Sequence, residues 1–270
     1  MIGIFYSKIT YKVNTSATIS KNSLSWIIAL SALNRLKSVS SESLINTFFN
    51  SPNTYLLSEN SKNLPTGFKV TPTIVFRSYS DLEKAFSNNS IDSLVKAVVY
   101  DSENWEFTPK EEQKNPSLYY KLAYDIVHKH NLIFIATPAT NLAQVINPVA
   151  SNRYDNFVQL GIARDIAPYA DIYEIQAQGS EKNTIQYKDF VQKVATQVKT
   201  KNPNIIILAG LSTNPMGQKV IGDDLYNAYL ATKSIVSGYW LNVPEGGSAC
   251  PSCGVAQPKV AIDFLKRLSN

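Results

Sequence analysis

The sequence predicts an α/β chain folded as a (β/α)8 TIM-type barrel with an irregular N-terminal part. From residue 53 onward, short strand-like runs alternate with helix-like segments, and such units build a parallel sheet covered by helices. Seven strands of this kind, with an eighth candidate near the start, would close a barrel. The 270 residues, 44% of them hydrophobic, suit one such barrel. We therefore expect one domain, 1–270, with 1–52 as its irregular part.

The eighth candidate strand is IGIFYS (2–7), at the start of the chain. If it lies outside the barrel, the missing strand must be found elsewhere or the barrel is incomplete. The other runs are rich in Val, Ile and Tyr and are mostly bounded by Pro, Asn, Gly or Asp, as strands are. These seven predicted strands are 53–59, 72–78, 95–101, 132–138, 171–177, 204–210 and 237–243.

Helical spacing of apolar residues marks the segments between the strands. Leu118, Leu122 and Ile126 recur every four residues within 117–129, which is the period of one helix face. The long connection after residue 7 would hold two helices, and further helices are expected later in the chain. These are roughly 22–37, 40–50, 185–199, 223–235 and 258–268, the last beginning at a proline.

Charge and composition exclude several classes of function. The net charge is +5, but the lysines are scattered singly, whereas nucleic-acid binding needs a clustered basic face. No apolar run is long enough to span a membrane. His128 and His130 are two residues apart on a predicted helix, so they diverge. We expect no metal, no cofactor and no Ser/His/Asp triad.

The two cysteines of the chain lie in CPSC, at Cys250 and Cys253. One CxxC is half of a zinc site, and no second pair or nearby histidine completes it. A redox CxxC normally precedes the first helix of a small α/β domain, but here only one helix follows. A short-range disulfide or a plain thiol pair is the interpretation that remains.

Polar side chains gather at predicted strand ends, where a parallel barrel carries its active site. Side chains alternate along a strand, so Asp101 and Glu103 point the same way if their strand continues that far. Similar alternation directs a polar set of the 171–177 strand toward the barrel interior and mouth. The other residues predicted at this rim are Arg77, Trp105, Glu174, Gln176, Gln178, Trp240 and Asn242.

This set of residue types indicates carbohydrate. One carboxylate raises the pKa of its neighbour, so Glu103 would be protonated near neutral pH and could act as a general acid. Asp101 would stay charged and orient the reacting group. Amides hold sugar hydroxyls, and indoles pack against sugar ring faces. A closed polar network with no substrate is the other interpretation.

Asp101 and Glu103, following an apolar strand, resemble the end of the D-x-x-D-x-D-x-E motif of chitinase-type (family 18) glycoside hydrolases. Lys96 and Val99 stand where the motif has two earlier aspartates. With 2–7 as strand one, the motif ends strand four, where that family places it. The resemblance implies that Glu103 donates the proton and that Asp101 positions a substrate N-acetyl group that acts as nucleophile.

The segments YDSENWEFTPKEEQKNP, YEIQAQGSEKNT and GYWLNVP…CPSCG more closely resemble uncharacterised secreted TIM-barrel proteins of actinobacterial type, over residues 53–268. This resemblance implies an extracellular or cell-surface location. We expect a glycoside hydrolase-like barrel acting on or binding a carbohydrate or another small polar substrate. The alternative is a non-catalytic glycan-binding or cell-surface barrel protein.

Overall fold

The structure is a computed structural model that describes residues 24–58, 64–248 and 250–269. Eight parallel strands form a closed barrel in chain order. Each strand pairs with the next, and the last pairs back with the first through Gly238 and Ser25. The predicted (β/α)8 barrel is confirmed.

Each of the seven strands predicted after residue 52 overlaps an observed strand, and most observed strands are shorter than predicted. The strands are β1 Ser25–Ala29, β2 Thr54–Leu57, β3 Thr71–Phe76, β4 Ala97–Tyr100, β5 Ile133–Ala136, β6 Ile172–Ile175, β7 Ile206–Ser212 and β8 Gly238–Asn242.

Helices follow the strands and cover the outside of the barrel. They are α1 Leu30–Val39, α2 Glu42–Phe49, α3 Tyr79–Ser87, α4 Lys110–Lys114, α5 Pro116–Lys129, α6 Leu142–Ile146, α7 Arg153–Leu160, α8 Ile162–Ile166, α9 Thr184–Lys201, α10 Gly222–Thr232 and α11 Pro258–Ser269. Within the described ranges, none of them is long and apolar enough to cross a membrane.

The first strand of the barrel is β1, so the helix predicted over 22–37 is wrong for Ser25–Ala29, whereas its later part coincides with α1. The helix begins only at Leu30, directly after the strand. The candidate strand 2–7 lies outside the described residues. Because β1 takes the place of the first strand, the strand after Lys96 is still the fourth, and those carrying Glu174 and Trp240 are still the sixth and eighth.

The sequence SWIIA misleads because both faces of β1 are buried. Ile27 lies in the barrel interior, while Trp26 and Ile28 pack on the helix side. A continuous apolar run of this kind has no period that distinguishes a strand from a helix. Much of the part predicted to be irregular is therefore regular, since β1, α1 and α2 occupy most of 25–49.

The barrel interior is apolar at its lower end and polar at its carboxyl end. The apolar interior side chains are Ile27, Tyr55, Leu57, Ala97, Val99, Ile135, Ile172 and Leu208. Val99, which stands where the chitinase-type motif has an aspartate, is fully buried in this apolar layer. A charge there would be costly, and the next inward residue on the same strand is Asp101.

Candidate functional site

A cavity of about 910 Å³ opens at the carboxyl ends of the strands. All nine rim residues predicted from the sequence line it: Arg77, Asp101, Glu103, Trp105, Glu174, Gln176, Gln178, Trp240 and Asn242. The strand periodicity explains this convergence, because inward residues of neighbouring strands meet at one end of a parallel barrel.

The end of β4 aims two carboxyl groups into the cavity. The strand ends at Tyr100, but the Asp101 N–H still donates to the Phe76 carbonyl oxygen at 2.8 Å, which keeps Asp101 in the strand's alternation. The following loop turns, and the N–H of Glu103 donates to Thr108 Oγ1 at 3.2 Å. A buried threonine, rather than strand pairing, therefore holds Glu103 at the cavity.

Asp101 is a buried carboxyl group with polar partners. Its Oδ1 accepts hydrogen bonds from Thr137 Oγ1 at 3.1 Å and from Gln176 Nε2 at 2.8 Å. Burial raises its pKa to about 6, although the two hydrogen bonds and the charge of Arg77 lower it. Near neutral pH this carboxyl is mainly ionised.

Glu103 carries the more strongly shifted pKa of this pair. Burial raises the pKa to about 8, and the negative charge of Asp101 adds to the rise. A hydrogen bond from Asn141 Nδ2 to Glu103 Oε2 at 3.4 Å, together with Arg153 and Arg77, opposes the shift. Near neutral pH the site therefore holds a protonated Glu103 beside an ionised Asp101.

Glu174 is a third carboxyl group in the cavity and is only 1% exposed. Its pKa lies well above the ordinary range because of burial and the charges of Asp101 and Glu103. Its Oε2 and the Oε1 of Gln178 have no hydrogen-bond partner. Such buried atoms are costly, and a ligand in the cavity can reach them only if these side chains move.

One wall of the cavity is aromatic. Trp105 Nε1 donates to Thr108 Oγ1 at 2.7 Å, and its ring meets Phe107 edge to face, with centroids 5.3 Å apart. The Arg77 guanidinium lies over both rings, 5.4 Å and 4.9 Å from their centroids. Trp240, from β8, lines the same cavity. These rings supply flat apolar surfaces next to charged and amide groups.

The segment after β8 contributes the cysteine pair. Cys250 and Cys253 form a disulfide, and Cys250 lines the cavity. Asn214 Nδ2 donates to the Cys253 carbonyl oxygen at 2.7 Å, which ties this loop to the end of β7.

Sequence reasoning missed three residues around the acid pair. Thr137 and Asn141 follow β5, and the rule that selected polar residues after strand ends could have found them. Arg153 starts α7, far from any strand end, and no sequence signal marks it. His128 lies away from the site, with Nε2 2.8 Å from Asp171 Oδ2 at the amino end of β6.

Among the described residues, no group of three or more His, Cys, Asp or Glu side chains could hold a metal ion. Comparison with known proteins finds no matching family model and no matching curated protein. A solved structure that matches is a sugar phosphate isomerase/epimerase from Parabacteroides distasonis, with a TM-score of 0.50 and 12% sequence identity. The match covers 96% of this chain and 97% of that one.

The class that fold and cavity define is thus a TIM barrel with a carboxyl-lined cavity at the carboxyl ends of its strands. The chain is similar in fold to the sugar phosphate isomerase/epimerase, and at 12% identity the likeness shows the fold alone. None of these matches bears on the expected actinobacterial, secreted or chitinase-type relatives, so those resemblances depend only on the sequence segments that carry them.

Proposed function

We propose that this barrel hydrolyses a glycosidic bond in the cavity at the carboxyl ends of its strands. The observation that carries the proposal is the difference in pKa between two neighbouring carboxyl groups at the cavity. The pKa of Glu103 is raised to about 8 and that of Asp101 to about 6. Two carboxyl groups whose environments separate their pKa values are the usual acid and base of such chemistry.

In this mechanism the protonated Glu103 gives its proton to the glycosidic oxygen as the bond to the anomeric carbon breaks. The ionised Asp101 holds the substrate group that stabilises the positive charge at that carbon, as the chitinase-type resemblance implies. Glu103, now a carboxylate, then takes a proton from the attacking water and is restored. Protons and charges balance over the cycle.

The remaining residues suit sugar recognition. The side-chain amides of Gln178 and Asn242 line the cavity, where they can hydrogen-bond sugar hydroxyls. The rings of Trp105 and Trp240 offer surfaces for sugar ring faces. A cavity of about 910 Å³ is at the upper end of the range for small-ligand sites, with room for more than one ring.

The test is Glu103→Gln, assayed on a panel of aryl glycosides that includes N-acetylglucosaminides. We expect kcat/KM to fall about 100- to 10,000-fold, the usual contribution of a general acid, with an unchanged circular dichroism spectrum. Glu106→Gln is the matched control, because Glu106 is exposed on the same loop. Full activity in Glu103→Gln would show that the acid has been wrongly assigned.

A second candidate is a non-catalytic glycan-binding barrel. Lys96 and Val99, in place of the two earlier aspartates of the motif, favour it because they remove carboxylates from beneath the acid pair. Glycan binding by the wild-type chain, with no turnover of any bound glycan, would support it. The Cys250–Cys253 disulfide supports an extracellular or cell-surface location for either function, since disulfides persist in oxidising compartments.

A further inference from the structure

We propose that a second, smaller cavity beside Glu103 is a subsite for an anionic group on the leaving-group part of the substrate, held by Arg153. The anion is a carboxylate or a phosphate carried by a sugar. The assignment to the leaving-group side rests on the proposed hydrolysis, whereas the anion site itself does not.

The smaller cavity has a volume of about 150 Å³ and adjoins the larger one. Glu103, Gln176, Gln178 and Asn242 line both cavities, but Asp101 lines only the larger. The proton donor thus lies on the boundary between the two. A sugar whose anomeric carbon faces Asp101 occupies the larger cavity, so the group beyond the glycosidic oxygen extends into the smaller one.

Arg153 supplies a positive charge to this cavity, and only uncharged groups hold it. Its guanidinium lies 4.9 Å from the centroid of the Tyr154 ring, and Nη2 donates to Tyr154 Oη at 3.0 Å. Nη1 lies 3.7 Å from the Met216 sulfur. Among the described residues no carboxylate lies within 4.0 Å of Arg153.

Arg153 differs in its partners from the other arginines of the chain. Three of the five in the chain each pair with a carboxylate, and Arg77 lies over two aromatic rings. The three pairs are Arg35 with Glu245, Arg164 with Asp165 and Arg267 with Asp223. Arg153 is therefore an arginine at a cavity that makes no direct ion pair within the described residues, although Glu103 in the same cavity interacts with its charge at longer range.

Arg153 lies in surroundings that are locally unfavourable for the protein. Arg153 is the first residue of α7, where a positive charge opposes the helix dipole. A Cβ on Gly179 would lie 2.5 Å from Nη2, so a larger residue there would require the guanidinium to move from its present position. Met216 has φ 51° and ψ 35°, a left-handed conformation that is unfavourable for a long side chain.

The chemistry of the cavity fits one small anionic group. The guanidinium fork matches the two oxygens of a carboxylate or phosphate. At about 30 Å³ for each water molecule, the volume corresponds to roughly five waters. The neighbouring Glu103 is protonated near neutral pH and so does not repel an anion.

The experiment measures the affinity of the wild-type chain for glucose, glucuronic acid and glucose 6-phosphate by NMR titration at pH 7. We expect at least one anionic sugar to bind about tenfold or more tightly than glucose, and which one does so distinguishes carboxylate from phosphate. In Arg153→Gln the preference for the anionic sugar over glucose should fall to near one. Arg164→Gln, at an exposed arginine paired with Asp165, is the control.

Equal affinity for charged and neutral sugars in the wild type, or an undiminished preference in Arg153→Gln, would overturn the proposal. If Arg153→Gln does not fold, Arg153→Lys keeps a charge without the fork and should show a reduced preference; an unchanged preference there would also count against it. The proposed hydrolysis is contradicted by a different result, namely full turnover of uncharged aryl glycosides by Glu103→Gln. That assay contains no anionic sugar, so the two proposals can fail separately.

Discussion

The side-chain amide of Gln176, after β6, donates a hydrogen bond from Nε2 to Oδ1 of Asp101, after β4, at 2.8 Å. The same Nε2 donates to the carbonyl oxygen of Thr137, after β5, at 3.0 Å. One amide group therefore joins the ends of three consecutive strands and fixes the orientation of the ionised carboxylate. Gln176 acts through Asp101, and its removal has a measurable consequence.

Gln176→Leu removes one of the two hydrogen bonds to the Asp101 carboxylate. A hydrogen bond to a charged group contributes about 1.5–3 kcal/mol, which corresponds to about one pKa unit or more. We expect the pKa of Asp101 to rise clearly above about 6, measured by ¹³C NMR of labelled aspartate. Gln192→Leu, on exposed α9 surface, is the control. An unchanged or lowered pKa would mean that the amide does not stabilise the carboxylate.

The activity of the proposed hydrolase should follow a bell-shaped pH profile. Catalysis needs Asp101 ionised, which occurs above its pKa of about 6, and Glu103 protonated, which holds below its pKa of about 8. Glu174, Arg77 and Arg153 also face this pair, so the two apparent pKa values belong to the coupled site. We expect kcat/KM to be highest near pH 7. A maximum below pH 5 would rule out Glu103 as the acid.

The same carboxyl groups should make the folded protein less stable at alkaline pH. Glu103 rises from an ordinary pKa of 4.5 to about 8, and Asp101 from 3.8 to about 6. The folded state therefore holds more protons than the unfolded state between these limits. Stability from these groups is fully present below about pH 4 and is lost as the pH rises through about 6 and then about 8.

Thermal unfolding of Glu103→Gln tests this linkage, because glutamine cannot ionise. We expect its Tm at pH 8.5 to exceed that of the wild type by about 2–4 °C or more, the shift that about 1 kcal/mol produces in a domain of about this size. At pH 4 the two Tm values should nearly coincide. Glu106→Gln, at an exposed position, should follow the wild type at both pH values. An equal pH dependence in Glu103→Gln would contradict the burial argument.

The sequence predicted the site better than it predicted the start of the barrel. Strand alternation placed Asp101, Glu174 and Trp240 at one rim because the period of two is strict once a strand is located. The same reasoning failed at Ser25–Ala29, where both faces are buried and alternation is absent. Strands with both faces buried, such as β4, were still found where bounding turn residues and the repeat of strand and helix marked them.

Arg153 could not be assigned to the site from local sequence, whereas Asn141, which follows β5, could have been found by the rule on strand ends. Arg153 comes from a connection that returns to the cavity through tertiary packing, and its effect on Glu103 appears only once the loops are in place. The pKa order within the pair is likewise a tertiary property. The sequence led us to expect the proton on Glu103, but the physical reason for this order, burial and hydrogen bonding, is visible only in the fold.

Two glycines on neighbouring strands should respond differently to the same substitution. Gly210 on β7 lies against Gln178 and Glu174, and a Cβ there would overlap Gln178 Oε1 and lie 2.8 Å from Glu174 Oε1. Gly238 on β8 lies where the barrel closes, and a Cβ there would overlap the Ser25 carbonyl oxygen and lie 2.7 Å from its backbone nitrogen. Side-chain ends can move aside, but the backbone of a paired strand cannot.

We therefore expect Gly238→Ala to destabilise the fold by about 3 kcal/mol, which is the upper range for overpacking. At about 2–4 °C per kcal/mol, this lowers Tm by roughly 6–12 °C. Gly210→Ala should change Tm by no more than about 4 °C, while weakening ligand binding about tenfold, because Gln178 and Glu174 must shift toward the ligand. Each variant is the control for the other, measured by calorimetry and by NMR titration with the best-binding sugar. Equal losses of Tm in both variants would mean that Gln178 and Glu174 are held as rigidly as the strand pairing that closes the barrel.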